Sequence, residues 1–120
     1  MPVIHLPMHK LIILISVPPD DPRFEGGWPD FLHAAEQMPG LVRETSSRVS
    51  HVLYGAKDVH MVHELHFETR QALEAALQSE HGRSAGRILQ RITGSRMALL
   101  FADHHEDLAE NMLPEPKSGS

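Results

Sequence analysis

Ten of the 120 residues are histidine, the side chain that both titrates near neutrality and ligates metals. A metal centre needs three or four ligands that converge on one point. His60, His63 and His66 fall in what reads as a strand, where side chains alternate faces, so His63 points away from the other two. His60 and His66 share a face but lie roughly 20 Å apart at ~3.3 Å per residue, too far for one ion. The adjacent His104 and His105 read as a solvated helix start. No metal site is expected, and with no cysteine in the chain, thiolate nucleophiles, disulfides and Cys-ligated metals are excluded together.

The same strand offers acid/base chemistry instead. The mostly apolar set Met61, Leu65 and Phe67 assigns the odd positions to a helix-covered side, with His63 an awkward member, and turns His60, Val62, Glu64 and His66 to the other. A carboxylate and an imidazole two residues apart then point into one apolar chamber. Burial there is expected to raise the carboxylate pKa and make either group a usable acid or base. Glu64 and His66 are therefore the candidate catalytic pair. Arg43 and Thr45 approach them from the paired strand, and Trp28 and His33 of the first helix are candidate walls of the pocket. The alternative is a buried pair that only fixes the register of a dimer. The Arg83, Arg87, Arg91 row has i, i+4 spacing and reads as a solvated helix face. No phosphate loop, dinucleotide fingerprint or recognised Ser-His-Asp spacing is present, so the chemistry expected is cofactor-independent.

The elements that must position these groups are legible in the pattern. Residues 10–17, KLIILISV, read as a strand buried on both faces, followed by a loop containing Pro18, Pro19 and Pro22. Trp28, Phe31, Leu32 and Ala35 form the stripe of a helix spanning residues 27–39, with Pro29 in its first turn and Pro39-Gly40 ending it. A β-hairpin follows, with strands at 41–54 and 59–67 around a Gly55-Ala56-Lys57-Asp58 turn and an irregularity at Ser46-Ser47. Thr69 caps a helix that presents Leu73, Ala76 and Leu77, Gly82 interrupts it, and a continuation through Ala85, Ile88, Leu89 and Ile92 stops at Gly94. Residues 96–102 read as the last strand. The order β, α, β, β, α, β predicts an α+β, ferredoxin-like antiparallel sheet of four strands, with the first and third central. Residues 1–7 read as an arm, 8–103 as the domain, and 104–120 as a short helix and tail.

Two helices cover one face of such a sheet, yet Ile12 and Leu14 oppose Leu11, Ile13 and Ile15, and Ala98 and Leu100 oppose Met97, Leu99 and Phe101. Both faces call for burial, and the length leaves no room for a second domain, so a face-to-face homodimer is expected. The net charge of −5 lacks the basic footprint of a nucleic-acid binder. Apolar runs such as Leu11 to Ile15 are far below the ~18 residues of a membrane span, and no leader is evident, so a cytoplasmic location is expected.

Residues 8–103, about four fifths of the chain, resemble the EthD-type branch of the dimeric α/β-barrel superfamily. The likeness rests on Met8-His9-Lys10-Leu11, Pro39-Gly40-Leu41, His63-Glu64-Leu65-His66-Phe67, and Gln71-Ala72-Leu73-Glu74-Ala75-Ala76-Leu77 followed by Ser79-Glu80-His81-Gly82-Arg83. One feature departs from the family: an aromatic pair followed by His-x-Pro is replaced by Trp28 and His33 at another spacing, with Ala34-Ala35 after the histidine. The resemblance implies a dimeric α/β barrel of a kind associated with degradative gene clusters, and it hands over no reaction. Function is then either binding of a small apolar organic molecule, in a cleft between sheet and helices or at the barrel mouth with acid/base chemistry upon it, or an accessory role in which a catabolic intermediate is bound or delivered.

Overall fold

The computed structural model describes residues 8–107 and Ala109. The elements run β1 (Met8–Ile15), α1 (Pro22–Glu36), β2 (Arg43–Arg48), β3 (Met61–Phe67), α2 (Arg70–Gln78), α3 (Glu80–Thr93) and β4 (Met97–His104). All strand pairs are antiparallel and the sheet order is β2-β3-β1-β4, which makes β1 and β3 central. This is the α+β, ferredoxin-like fold. The arm expected at 1–7 and the tail lie outside the described residues. No helix among the described residues is long and apolar enough to cross a membrane.

Strand parity decides which residues meet the helices. Leu11, Ile13 and Ile15 of β1 and Met61, Leu65 and Phe67 of β3 are buried, together with Phe24, Phe31 and Ala35 of α1, Leu73 and Ala76 of α2, and Leu89 and Ile92 of α3. Lys10, Ile12, Leu14, Val62 and Glu64, on the alternate positions, are only half-buried, and Leu100 is 43% exposed. Among the described residues, none of the three helices packs over that face.

Several boundaries differ from expectation, each for a local reason. α1 begins five residues early because Asp21 caps it, its Oδ1 accepting from the Arg23 and Phe24 amides at 3.0 and 3.1 Å, and Pro22 takes the first helical position, where a missing N–H costs nothing. Pro29 therefore sits inside the helix rather than in its first turn. β2 ends at Arg48 and β3 begins at Met61, so the hairpin arms are shorter than expected, and β2 stays in regular register through Ser46 and Ser47. The break between α2 and α3 falls at Ser79, whose hydroxyl donates to the Ala76 carbonyl and accepts from the Gly82 amide at 3.1 Å. Gly82 lies just inside α3, where a Cβ would stand 2.0 Å from the Ala76 oxygen. Finally, Asp103 and His104 are not a helix start. They extend β4, paired with His9 and Met8 of β1.

Candidate functional site

The open sheet face becomes polar at one end. In register, Arg43 of β2 stands beside His66 of β3, which stands beside Lys10 of β1. In the next row Thr45 stands beside Glu64, and Glu64 beside Ile12. The sheet thus brings Glu64, His66, Arg43 and Thr45 to one face, as the alternation of β3 requires, and adds Lys10 and His104.

Glu64 is held on both oxygens. Lys10 Nζ donates to one at 2.9 Å and Thr45 Oγ1 to the other at 3.2 Å. Desolvation pushes the carboxyl upward, but the Lys10 hydrogen bond and charge, the Thr45 hydroxyl and nearby His66 outweigh it, leaving its pKa below the ordinary value. The expected rise is therefore reversed, because the ammonium of Lys10 stands against the carboxylate. Glu64 is a fixed carboxylate near neutral pH rather than an acid poised to donate.

His66 is 1% exposed, and neither ring nitrogen has a hydrogen-bond partner among the described residues. Desolvation first, then the electrostatic influence of Arg43 and of His104, push its pKa down, the Arg43 backbone opposing them and Lys10 adding to them. The ring is neutral at pH 7 and can both donate and accept a proton. The His104 ring meets it edge-on at 4.7 Å. His104 Nε2 is 2.8 Å from a Glu106 carboxylate oxygen that also accepts from Arg43 Nη2. Hydrogen bonds from His104 and Arg43 and the Arg43 charge hold the Glu106 pKa down.

Trp28 and His33 do not join this cluster. α1 packs on the odd-numbered side of β3, so Trp28 meets His63, edge-on at 5.1 Å, and stacks between Phe24 and Phe31 at 5.0 Å from each. It forms one wall of a separate open groove of about 260 Å³ with Phe24, Pro29 and Met61. His33 is exposed on the outer side of α1. His63, which looked misplaced among apolar residues, is buried with its Nε2 2.7 Å from the Glu44 carboxylate. Between helices and sheet, the apolar slot lined by Leu11, Leu65, Leu89 and Leu99 measures only about 50 Å³, whereas small-molecule pockets run to roughly 300–1,000 Å³. That slot is too small for a ligand of this kind.

Sequence reasoning missed Lys10, His104, Glu106 and the Glu44–His63 pair. Lys10 was detectable, as the single cation in an apolar strand on the same parity as Ile12 and Leu14. His104 was hidden by a capping pattern, Asp103-His104-His105-Glu106, that the strand overrides. Among the described residues no three His, Asp or Glu side chains form a group able to hold a metal ion.

No family model matches the sequence, and no curated protein does. Solved structures match throughout the domain. An EthD family protein from Bacillus halodurans C-125 superposes with a TM-score of 0.73 at 20% identity, covering 81% of this chain and 98% of its own. A dimeric ferredoxin-like protein of unknown function from Jannaschia sp. CCS1 gives 0.60 at 14% identity, over 79% and 97%. SnoaB, a cofactor-independent oxygenase from Streptomyces nogalater, gives 0.56 at 16%, over 86% and 96%. The resemblance to EthD-type proteins thus holds at the level of the fold.

Proposed function

We propose that the chain is an EthD-like homodimer closed through the open sheet face, and that it binds a small, largely apolar organic molecule at the polar end of that face, with His66 as the acid/base group. The observation that carries this is His66 itself. A buried imidazole with neither nitrogen satisfied, at the edge of an aliphatic surface, costs roughly 1–3 kcal/mol unless something bonds to it. A ligand oxygen supplies that bond. Arg43 and Lys10 then lie where negative charge developing on the ligand would be stabilised, and Glu64 with Thr45 holds Lys10 in place. A second sheet laid upon this face closes a chamber with the polar row at its mouth. The dimeric description of the Jannaschia relative and the cofactor-independent chemistry named for the Streptomyces one support this reading.

A second reading, a non-catalytic accessory protein that binds or delivers an intermediate, is favoured by the state of Glu64, which is fully occupied by Lys10 and Thr45. A panel of small aromatic and ether-like molecules, screened by thermal shift against wild type, His66→Ala and Glu64→Gln, separates the outcomes. Wild type should be stabilised by some member, by about 2–3 kcal/mol at a ligand concentration one hundred times its Kd. His66→Ala should lose that gain. Glu64→Gln should stay folded but melt lower. Equal shifts in all three proteins remove His66 from the site, no shift in wild type overturns the proposal, and a bound ligand recovered chemically unchanged decides for the accessory role.

A further inference from the structure

The polar row is not only a set of groups awaiting a ligand, since part of it is occupied by the chain's own carboxylate. Arg43 lies on one edge strand and His104 on the other, with β3 and β1 between them. Even so, the Arg43 guanidinium reaches the Glu106 carboxylate beside His104, its Nη2 lying 3.4 Å from His104 Nε2. The span therefore crosses the sheet, and His66, in register with Arg43 and in ring contact with His104, is enclosed beneath it. This accounts for a residue on an otherwise open face being 1% exposed.

Lys10 and Glu64 satisfy each other. Arg43 and His104 share one oxygen of Glu106. The Arg43 and Glu106 side chains are 46% and 54% exposed, and an ion pair that wet contributes little to stability. The nitrogens of His66, by contrast, are buried and have no hydrogen-bond partner among the described residues. A carboxylate arriving from outside could replace Glu106 at little cost and reach what Glu106 does not.

We propose that Glu106 is an internal stand-in for the acid group of the ligand, so that the site takes a small apolar monocarboxylate whose oxygens displace Glu106 from Arg43 and His104 and bond to His66. The inference rests on the ligand-binding reading above and narrows it to a substrate class. The size follows from the sheet. The next row on the same face, about 7 Å along the strands at two residues' rise, carries Ile12 and Leu100 at its β1–β4 end and the Lys10-bound Glu64 with Thr45 at the other. That spacing accommodates one ring or a short branched chain beyond the carboxylate. The carboxylate of such a ligand meets a planar guanidinium, the side chain best shaped to receive it.

Calorimetry with benzoate, and with benzyl alcohol as the neutral counterpart, tests this on wild type, Glu106→Gln and Arg43→Gln. Benzoate should bind wild type and bind Glu106→Gln about tenfold more tightly, because the internal competitor is gone. Arg43→Gln should lose benzoate. Benzyl alcohol should be indifferent to Glu106→Gln. In parallel, the ring nitrogens of His66, followed by NMR, should shift saturably with benzoate. If benzyl alcohol binds wild type and benzoate does not, the carboxylate assignment falls while the ligand-binding reading stands. Unchanged or weakened benzoate binding in Glu106→Gln, or His66 signals that ignore benzoate, overturns the stand-in. If neither probe binds and the wider panel gives no shift, the underlying reading has failed as well. Glu106 lies beyond the end of β4 and its side chain is 54% exposed, so Glu106→Gln should fold, which its melting curve checks before the titration.

Discussion

His66 is neutral because its surroundings oppose charging it, and acid exposes that cost. Its pKa in the folded chain lies below the ordinary 6.5, so the unfolded chain takes up its proton first as pH falls. Stability should therefore be level above about pH 7 as far as this residue is concerned, and should decline as pH drops below 6.5 toward the folded value, by at most about 1.4 kcal/mol per pH unit. Glu64 acts in the same direction in a lower window. Its folded pKa lies below 4.5, so its contribution is complete above that value and is lost in more acidic solution. Urea unfolding of wild type and His66→Leu between pH 7.5 and 5.5 checks the first window. The variant should show the shallower slope and, having lost two unpaired buried nitrogens, should be no less stable at pH 7.5. Equal slopes would mean that His66 is paired or charged. At this scale the sequence revealed faces but not partners. Alternation along β3 sufficed to place Glu64 and His66 together, with Arg43 and Thr45 across from them. The sign of the Glu64 shift depended on Lys10, 54 residues away, and a strand register is not readable from a single strand.

Glycine supplies the sharpest test of the elements, because two glycines four residues apart on α3 have opposite surroundings. A Cβ on Gly82 would meet the Ala76 backbone oxygen at 2.0 Å, whereas one on Gly86 meets nothing within 4 Å. Gly82→Ala must push α2 away from α3 or break the Ser79 cap, and should cost about 2–4 kcal/mol. Gly86→Ala should stabilise by about 1 kcal/mol, the helix-propensity difference. Melting temperatures should move in opposite directions, by about 4 °C per kcal/mol for a domain of this size. A destabilised Gly86→Ala, or a tolerated Gly82→Ala, would contradict the packing described. All seven elements except the separate α2 and α3 boundaries were foreseeable in type and order from periodicity and caps. The errors came from local chemistry competing with expectation. Gly82 looked like the interruption but is the close-contact point beside it, and Asp21-Pro22 looked like loop but is a cap and first turn.

At the scale of the whole molecule, the two faces of β4 separate the core from the proposed interface. Leu99 and Leu100 are neighbours in sequence, and both are exposed in the protomer, 52% and 43%. Leu99 points to the helix side, opposite Ile13, and Leu100 to the open side, opposite Ile12. If a second copy covers the open face, Leu100 is buried in the dimer together with Ile12, Leu14 and Val62, whereas Leu99 is not. A symmetric interface meets every substitution twice, so Leu100→Glu places two unpaired carboxylates in an apolar contact. It should weaken association by at least about a hundredfold. Leu99→Glu, which adds the same charge to the same strand, should leave the dimer intact. Sedimentation at micromolar concentration reads both. A wild type that runs as a monomer would leave those aliphatics facing water, and the open face would then need another explanation. Dissociation by Leu99→Glu but not by Leu100→Glu would put the interface on the helix side and would separate the polar row around His66 from the chamber it is proposed to serve.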